Sequence, residues 1–393
     1  MNITPKYEIT LGTKALVEQI KAVFPDIEIP LTQTVEYSEW QIKNDRSVLW
    51  VRISRNGSFC GIGFAVKYAI PRINMHYWYM PYGPVIVVPH FTNISTEIKE
   101  LTRALKKTVE NFEDSHRSQQ KEYHHSLFVR TDATVYTALP TGQQGKKILS
   151  ELKPQGIGHL MSLPQMQGSY FQPRAEWQIS LKQTYAQILS AMHHKTRYSI
   201  KLAEKKLDAG SIEYEIITGK EILKHQKEFE TLMKETAQRD HFCMHDHGYY
   251  SSIFKTAAQH KGGFLIHVYQ SKGKENKLLV SNLIIYTETS AYYLFGTSSN
   301  EGRNLMPTYL AQWKALEQAK RDKKIWYNFG GISTENFPKR GWKGITDFKM
   351  KFGGEARVHP FMYDISLKKI HYTLYSLFKI ASYLRSYVRF SKG

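Results

Sequence analysis

Cysteine and acidic residues are scarce in this chain of 393 residues, and long apolar runs are missing from it. Its two cysteines, Cys60 and Cys243, exclude a disulfide scaffold and a zinc site built on cysteines, and they are typical of a reducing compartment. The first residues show no basic stretch followed by an apolar core, so no signal peptide is expected. No uncharged apolar run reaches about 18 residues, so no membrane-spanning helix is predicted.

Basic residues outnumber acidic ones, 54 to 35, which gives a formal net charge of +19. This surplus favours a polyanionic partner, and a basic but otherwise ordinary protein is the alternative. Hydrophobic residues make up 41% of the chain and aromatic residues 13%, enough to build packed cores, so disorder of the whole chain is excluded. At about 150 residues per domain, the length predicts two domains.

The two halves of the sequence repeat one order of elements. A meander of strand-like segments, then a helical segment, then a strand runs through residues 48–131 and again through 264–329. Residues 153–173 are rich in proline, glycine and glutamine and are the predicted linker. We predict an α/β fold with mixed sheets in two tandem domains like the GNAT acyltransferases, residues 1–160 and 161–364. The segment 365–393 is predicted to pack on the first domain.

A basic stripe follows one face of a predicted helix. Thr184 and Gln187 form a capping box that begins the helical pattern. Arg197, Lys201 and Lys205 recur every four residues on the side opposite to apolar positions. The stripe predicts contact with a phosphate backbone, and a solvated face is the alternative.

The sequence after Asp364 contains six basic residues and no acidic one, interleaved with apolar and tyrosine residues. Such a composition is typical of an amphipathic helix that lies on an anionic membrane surface. The alternative is a terminal helix that packs on a domain and leaves its charges in water. The two interpretations are compatible.

Two other patterns argue against bound groups. Residues 241–247 contain three histidines and Cys243, but their spacing is short and no second cluster completes a site, so we expect exposed loop residues and no metal. Residues 300–304, before a helix predicted at Pro307, lack the Gln/Arg-x-x-Gly-x-Gly/Ala turn that binds coenzyme A. No cofactor is expected.

The densest region is residues 327–354, where paired glycines after a strand are followed by lysines and a second glycine pair. Glycine at a strand end permits close approach of a ligand to the backbone. Clustered lysines suit a phosphate or a developing oxyanion. A loop of solvated lysines would explain the charges but not the glycine pairs.

The chain resembles the FemABX (Fem) family of aminoacyl-tRNA-dependent peptidyltransferases, which act in bacterial cell-wall synthesis. The segments that carry the resemblance in the second half are, in order, HKTRYSIKLAEK (194–205), ETAQRD (235–240), YY (249–250), AYYLFGTSS (291–299), RNLMP (303–307), Trp313, FGG (329–331) and FKMKFGG (348–354). Weaker matches in the first half are YSEW (37–40), YGP (82–84) and VRTD (129–132).

The resemblance implies two GNAT-like domains, an aminoacyl-tRNA as donor, and a UDP-linked or lipid-linked muropeptide as acceptor. The acceptor group would be the amino group of the third residue of the stem peptide, and the product a peptide bond that begins an interpeptide bridge. The chain looks like the compact members that lack a coiled-coil arm. The expected location is cytoplasmic, and the basic composition of residues 365–393 predicts that this segment contacts the inner face of the plasma membrane, where a lipid-linked precursor would be found.

Site residues are carried over from the same motifs. The catalytic pair is Phe348 and Lys349, with Lys349 near the reacting ester. The positions that correspond to the muropeptide cleft are Trp40, Asp132, Tyr249, Tyr250 and one of Tyr292 or Tyr293, of which Tyr293 is the predicted contact. His245 stands where the family has a basic residue for the nucleotide or lipid diphosphate, so either Arg239 or Arg303 is predicted to replace that residue. The predicted tRNA contacts are Arg197, Lys201, Lys205, Lys343 and Lys351.

The chemistry expected from these residues is simple. An ammonium group on Lys349 would stabilise the oxyanion that forms when an amine attacks an activated ester. Asp132 is the candidate for accepting the amine proton. Two alternatives are a coenzyme A-dependent GNAT N-acyltransferase that acts on a sugar or peptide, and a non-catalytic RNA-binding module. The sequence lacks the coenzyme A turn and the aromatic RNA-binding motifs that these alternatives use.

Overall fold

The computed structural model describes residues 6–25, 27–71, 73–88, 94–117, 125–132, 134–136, 172–259, 262–272, 275–335, 338–339, 341–359 and 363–390. Nearly all of the predicted linker and the predicted boundary between residues 160 and 161 lie outside these ranges.

The strands, in chain order, are β1 (Tyr7–Gly12), β2 (Val48–Arg55), β3 (Ser58–Ala69), β4 (His76–Met80), β5 (Val85–Val87), β6 (Ser126–Thr131), β7 (Thr134–Tyr136), β8 (Ala175–Ser180), β9 (Ile212–Thr218), β10 (Gly263–Lys272), β11 (Glu275–Tyr286), β12 (Ser290–Ser298), β13 (Trp326–Gly331), β14 (Glu355–Val358) and β15 (Tyr363–Ser366). The helices are α1 (Leu16–Val23), α2 (Val35–Lys43), α3 (Ile94–Arg117), α4 (Tyr185–Ala191), α5 (His194–Asp208), α6 (Gln226–Asp240), α7 (His247–Ala257), α8 (Pro307–Arg321), α9 (Lys343–Met350) and α10 (Lys369–Phe390).

Two compact units divide these elements. Unit 1 comprises Met1–Arg174 and His359–Gly393, and unit 2 comprises Ala175–Val358. Each unit contains one sheet with both parallel and antiparallel pairs of strands. The predicted α/β class with mixed sheets is therefore confirmed, whereas the domain bounds 1–160 and 161–364 stay a prediction.

The sheet of unit 1 has the order β1-β2-β3-β4-β6-β15, and β5 pairs with β3 and β7. Neighbouring residues of β2 point to opposite faces, as the period of a strand requires. Val51 joins the core formed with α3, and Trp50 joins the core formed with α1. The sheet is thus covered on both faces.

The last segment of the chain is attached to unit 1 by a buried ion pair. β15 pairs antiparallel with β6. The Arg130 guanidinium donates to both oxygens of the Asp364 carboxylate, at 2.7 and 2.9 Å, and the Tyr372 hydroxyl donates to the same carboxylate at 2.8 Å. These contacts dock the start of α10 on the sheet.

The sheet of unit 2 has the order β14-β8-β13-β12-β11-β10-β9. The parallel pair β12–β13 is short, because it joins only Ser290–Tyr292 to 326–328 before β13 shifts register against β8 at a bulge between Asn328 and Gly330. α4, α5 and α8 contribute to the core on one face, together with Phe329. α6 packs against β12. The bulge and the end of β12 form the frame of the site described below.

Local sequence patterns correctly predicted the start of α4 and the two faces of α5. The capping box of Thr184 and Gln187 begins α4, and α5 follows after a break at residues 192–193. Ile200 and Ala203 are buried on α5 while the basic stripe is exposed. The amphipathic pattern of residues 220–238 predicts one α-helix, and this prediction was wrong at its start. The segment begins as a 3-10 helix, Gly219–His225, and becomes α-helical only at Gln226.

Candidate active site

Lys349 is a buried lysine on α9. Its side chain points at the end of β13, where Nζ donates a hydrogen bond to the carbonyl oxygen of Gly331 at 2.7 Å. Burial lowers the pKa of Lys349 to about 8, and the negative charge of Glu176 opposes that shift. An ammonium with one of its three hydrogens bound in this way keeps donors for a further acceptor.

Glycines allow the chain to fold closely around Lys349. Gly330 has φ +73°, and a Cβ atom there would lie 3.8 Å from the carbonyl oxygen of Tyr293 and 4.0 Å from Nζ of Lys349. After α9, Gly353 and Gly354 have φ of +75° and +103°. A side chain at Gly354 would collide with the carbonyl oxygen of Gln178. Gly330, Gly353 and Gly354 are therefore required by the backbone of the site.

Two residues that sequence reasoning missed support the bulge beneath Lys349. The Asn328 side chain accepts a hydrogen bond from the backbone N–H of Gly330 at 2.6 Å and donates one to the carboxylate of Glu176 at 3.3 Å. Glu176 is buried on β8, in register with Gly331 of β13. Neither residue belongs to a motif that carries such a signal, because their proximity depends on the pairing of β8 with β13.

Phe348 and Tyr293 both pack against the core cluster that contains Phe329 and Phe352. Phe348 packs against Tyr309 and Phe352, with ring centroids 5.6 and 5.2 Å apart. The Tyr293 ring contacts Phe329 at 6.3 Å, and burial raises the pKa of Tyr293 to about 12. The structure thus brings three of the predicted site residues, Lys349, Phe348 and Tyr293, around the paired ends of β12 and β13.

Basic groups meet where α5 begins. The N–H of His193 donates to the carbonyl oxygen of Lys351 at 2.9 Å. The pKa of His193 is lowered by desolvation and by the positive charges of neighbours that include Lys351 and Arg197. Arg197 also donates to carbonyl oxygens at the end of α4, those of Ser190 and Met192. The remaining predicted tRNA contacts, Lys201, Lys205 and Lys343, are exposed.

The two predicted diphosphate ligands differ in their partners. The Arg239 guanidinium donates twice to the carboxylate of Asp240, each time at 2.9 Å, and once to the carbonyl oxygen of Ser298 at 2.8 Å. Arg303 is exposed and donates to the side chain of Asn300 at 3.2 Å. Asp240 has a lowered pKa because of its bonds to Arg239, with a smaller effect from the charge of Arg303. The two arginines therefore share one anionic neighbour.

The tyrosine pair of α7 belongs to an aromatic cluster. Tyr249 stacks on the His245 ring with centroids 3.9 Å apart, and Tyr250 is buried against Phe229 and Phe295. Burial lowers the pKa of His245. His245 is therefore a stacking group here rather than the cation that the family pattern has at this position.

Asp132 and Trp40 lie in unit 1. Asp132 is buried and accepts hydrogen bonds from the Tyr79 hydroxyl and, at 2.9 Å, from the Arg174 guanidinium. Burial raises the pKa of Asp132, and the charge of Arg174 opposes the shift. Trp40 is half-buried on α2 and contacts Tyr37 edge to face at 5.2 Å. The roles predicted for both residues stay predictions.

Two groups of residues that contain histidine were compared with the requirements of a metal site: residues 241–247, and His225 with Glu228 and His267. Residues 241–245 form an exposed loop and His247 begins α7. Within the described part of the chain, the donor atoms that come together as a possible metal-binding group are those of His225, Glu228 and His267, all within 4.8 Å of one another. The pair His225–Glu228 has its own contact at 2.9 Å.

Comparison with known proteins gives consistent matches along the chain. The sequence model of the FemAB family matches residues 30–266 and 256–380. The lipid II:glycine glycyltransferase of Staphylococcus epidermidis (strain RP62A) is 22% identical over 364 residues, which cover 77% of this chain and 80% of that protein. The enzyme of the same name from Staphylococcus aureus (strain USA300) is 23% identical over 276 residues, 53% of this chain and 63% of the relative.

Among solved structures, that of FemX matches with a TM-score of 0.67 and 18% sequence identity. The match covers 94% of this chain and 100% of FemX. At this identity the likeness is one of fold. Together with the two mixed sheets, it confirms the predicted fold class, α/β with mixed sheets in two units.

Proposed function

Because the chain belongs to the FemAB family, we propose that it transfers an amino acid from an aminoacyl-tRNA to the stem peptide of a lipid-linked peptidoglycan precursor. The predicted enzyme class, an aminoacyltransferase, is confirmed by the family match and by relatives named glycyltransferases. The names of those relatives, which specify lipid II, support a lipid-linked acceptor over a UDP-linked one.

The observation that carries the proposal is the buried ammonium of Lys349 at the end of β13. A cation that is desolvated and held by the carbonyl oxygen of Gly331 is pre-oriented for an anion that forms during a reaction. With a pKa of about 8, the side chain is mostly charged at neutral pH. This state is the one that stabilises an oxyanion.

The proposed reaction forms one bond and breaks one. The acceptor amine attacks the carbonyl carbon of the aminoacyl ester and forms a C–N bond, while negative charge develops on the carbonyl oxygen near Lys349. The C–O bond to the tRNA ribose then breaks, and the ribose oxygen takes a proton to become a hydroxyl. The proton lost by the amine goes to a base, for which Asp132 stays the candidate. Binding both substrates supplies the gain of proximity.

Support for a tRNA donor comes from the basic groups around the start of α5. The positive charges of Arg197 and Lys351 both lower the pKa of His193. Lys201 and Lys205 continue the exposed face of the helix that carries Arg197. A row of exposed cations spaced one helical turn apart suits a phosphate backbone. The stripe lies in residues 194–205, one of the segments that carry the resemblance to the aminoacyl-tRNA-dependent Fem family.

For the acceptor, we infer that Arg303 is the better of the two diphosphate ligands. Two hydrogen bonds to Asp240 already neutralise Arg239, whereas Arg303 is exposed and bonded to the uncharged side chain of Asn300. Tyr249, Tyr250 and Tyr293 are the proposed muropeptide contacts in unit 2. Trp40 and Asp132 are those proposed in unit 1.

The proposed location is the inner face of the plasma membrane, where a lipid-linked precursor is exposed to cytoplasmic tRNA. Across the ranges that the structure describes, no helix combines the length and apolar character needed to cross a bilayer. Residues 365–393 are the segment predicted to contact the membrane.

The proposal is tested by a transfer assay with purified protein. Lipid-linked muropeptide is incubated with tRNA charged with a mixture of amino acids, and the product is analysed by mass spectrometry. We expect a mass gain of one aminoacyl residue, which disappears when ribonuclease is added or the tRNA is left uncharged. Absence of transfer from every charged tRNA, to lipid-linked and UDP-linked acceptors alike, would refute the function. Acylation with acetyl-coenzyme A instead would establish the coenzyme A alternative.

A further inference from the structure

The outer face of α10 exposes four large apolar side chains. Ile370, Leu374, Leu377 and Phe378 are between 56% and 77% exposed. At 100° per residue these positions fall within a stripe about 100° wide on the helix. Single exposed apolar residues are common on proteins, but a stripe of this kind on one helix marks a contact surface.

The opposite face of the same helix is firmly held by unit 1. Tyr372 is buried, donates to Asp364 at 2.8 Å and meets the Phe128 ring at 5.3 Å. Tyr375 contacts the same phenylalanine at 5.5 Å. Because this inner face is fixed on β6, the orientation of the apolar stripe is also fixed, outward from the sheet of unit 1.

The basic residues near the apolar stripe indicate whether it binds a second copy of the chain or an anionic surface. Exposed lysines adjoin it in sequence at positions 368, 369 and 379, and the segment after Asp364 has six basic residues and no acidic one. A second copy of the chain would bring two such segments together, and their like charges would repel. An anionic surface is attracted by the same charges.

We propose that the outer face of α10 binds the surface of an anionic phospholipid bilayer, with Ile370, Leu374, Leu377 and Phe378 inserted among the lipids at the headgroup level. Apolar insertion and attraction of lysines to anionic headgroups act together in such helices. The binding itself does not depend on the proposed function. Its biological meaning does rest on it, since the contact would keep the enzyme at the membrane that holds a lipid-linked acceptor.

The test is co-sedimentation of the full chain with lipid vesicles. Vesicles that contain equal parts of phosphatidylglycerol and phosphatidylcholine are compared with vesicles of phosphatidylcholine alone. We expect binding to the anionic vesicles that weakens with added salt, and much less binding to the neutral ones. Lack of sedimentation with anionic vesicles would overturn the proposal, and so would equal binding to both kinds.

A matched pair of variants identifies the surface. Leu374→Ser with Phe378→Ser should weaken binding to anionic vesicles by tenfold or more, on the order expected for two apolar side chains that stay in water. Leu11→Ser with Val23→Ser changes two apolar residues of similar exposure elsewhere in unit 1 and should leave binding unchanged. Equal binding by the first variant and the native chain would contradict the assigned surface.

Two further measurements distinguish membrane binding by α10 from dimerisation and from the proposed function. Light scattering on a sizing column should show a monomer, and a native dimer that the Leu374/Phe378 variant abolishes would assign the stripe to a second copy instead. Transfer to a UDP-linked muropeptide without vesicles should be the same in the native chain and the variant. If the native chain transfers no amino acid to either a lipid-linked or a UDP-linked acceptor but still binds vesicles, the proposed function fails and the membrane surface stands.

Discussion

The Nζ atom of Lys349 donates a hydrogen bond to the carbonyl oxygen of Gly331 at 2.7 Å from a side chain that is only 8% exposed. A lysine is seldom buried without a carboxylate partner in direct contact, because the charged form loses its hydration. Here one carbonyl oxygen and the more remote charge of Glu176 compensate for that loss only in part, as the pKa of about 8 indicates. A buried cation of this kind is typical of a reaction site.

Replacement of Lys349 by methionine should lower the rate of aminoacyl transfer by about 10²–10³-fold, the usual effect of removing one donor to an oxyanion. Methionine has a similar shape and no charge to desolvate, so the thermal midpoint should not fall. Binding of the muropeptide, measured by calorimetry, should persist. Lys234→Met, at an exposed position of α6, is the matched control. Unchanged turnover in Lys349→Met would reject the catalytic role.

The pH dependence should reveal the same group. Because burial lowers the pKa of Lys349 to about 8, its charged fraction falls about tenfold between pH 7 and pH 9. We therefore expect the ratio of native rate to Lys349→Met rate to fall about tenfold over this range. The ratio cancels the ionisation of the acceptor amine, which affects both enzymes. A ratio that stays constant with pH would contradict the oxyanion role.

Glu176→Gln provides a companion measurement. The carboxylate raises the pKa of Lys349 against the effect of burial, so its removal should shift the fall in that ratio to lower pH.

Exposed lysines of α5 should affect tRNA binding in a salt-dependent way. Lys201→Gln with Lys205→Gln should weaken binding of charged tRNA and reduce the slope of log affinity against log salt by about 0.7–0.9 for each phosphate contact that is lost. Lys220→Gln with Lys224→Gln removes the same charge from exposed positions of unit 2 outside the stripe. If both variants reduce the slope equally, the stripe is not the contact.

The glycine pair after α9 should be intolerant of substitution. Gly354→Ala places a side chain at φ +103° and against the carbonyl oxygen of Gln178, so we expect a loss of about 2 kcal/mol or more in the free energy of unfolding in urea. Gly344→Ala is the control, since it lies in α9 with open space around it and should be neutral or stabilising by up to about 1 kcal/mol. Equal stability of the two variants would refute the backbone requirement.

The ion pair that holds the carboxyl-terminal segment should be costly to break. Asp364→Asn leaves the buried Arg130 guanidinium without its counter-charge, which is expected to destabilise unit 1 by about 3–5 kcal/mol in urea unfolding. The exposed pair Lys224–Glu221 is a control, and Glu221→Gln should change stability by less than about 1 kcal/mol. A small effect of Asp364→Asn would mean that α10 is held mainly by its aromatic contacts.

Local sequence patterns were sufficient to predict features that depend on interactions between residues close in sequence. The capping box at Thr184 and the alternation of exposed and buried residues on α5 depend on neighbours within a few positions. The failure at residues 219–225 is also local in scale, since a 3-10 and an α-helical turn differ by one residue in hydrogen bonding and share their side-chain pattern.

The order of motifs was enough for the sequence to determine the family, the enzyme class and the candidate site residues. Only the tertiary structure decided their physical states: that Lys349 is desolvated beside Gly331, that Asp132 is bound by Arg174, and that Asn328 and Glu176 support the bulge. The reason is that the pKa and the partners of a side chain depend on its burial and on neighbours distant in sequence. The surplus of positive charge was likewise visible from composition alone. Only the fold showed where these charges lie. They form an exposed stripe on α5, a buried ammonium on α9 and a basic segment that includes the apolar face of α10.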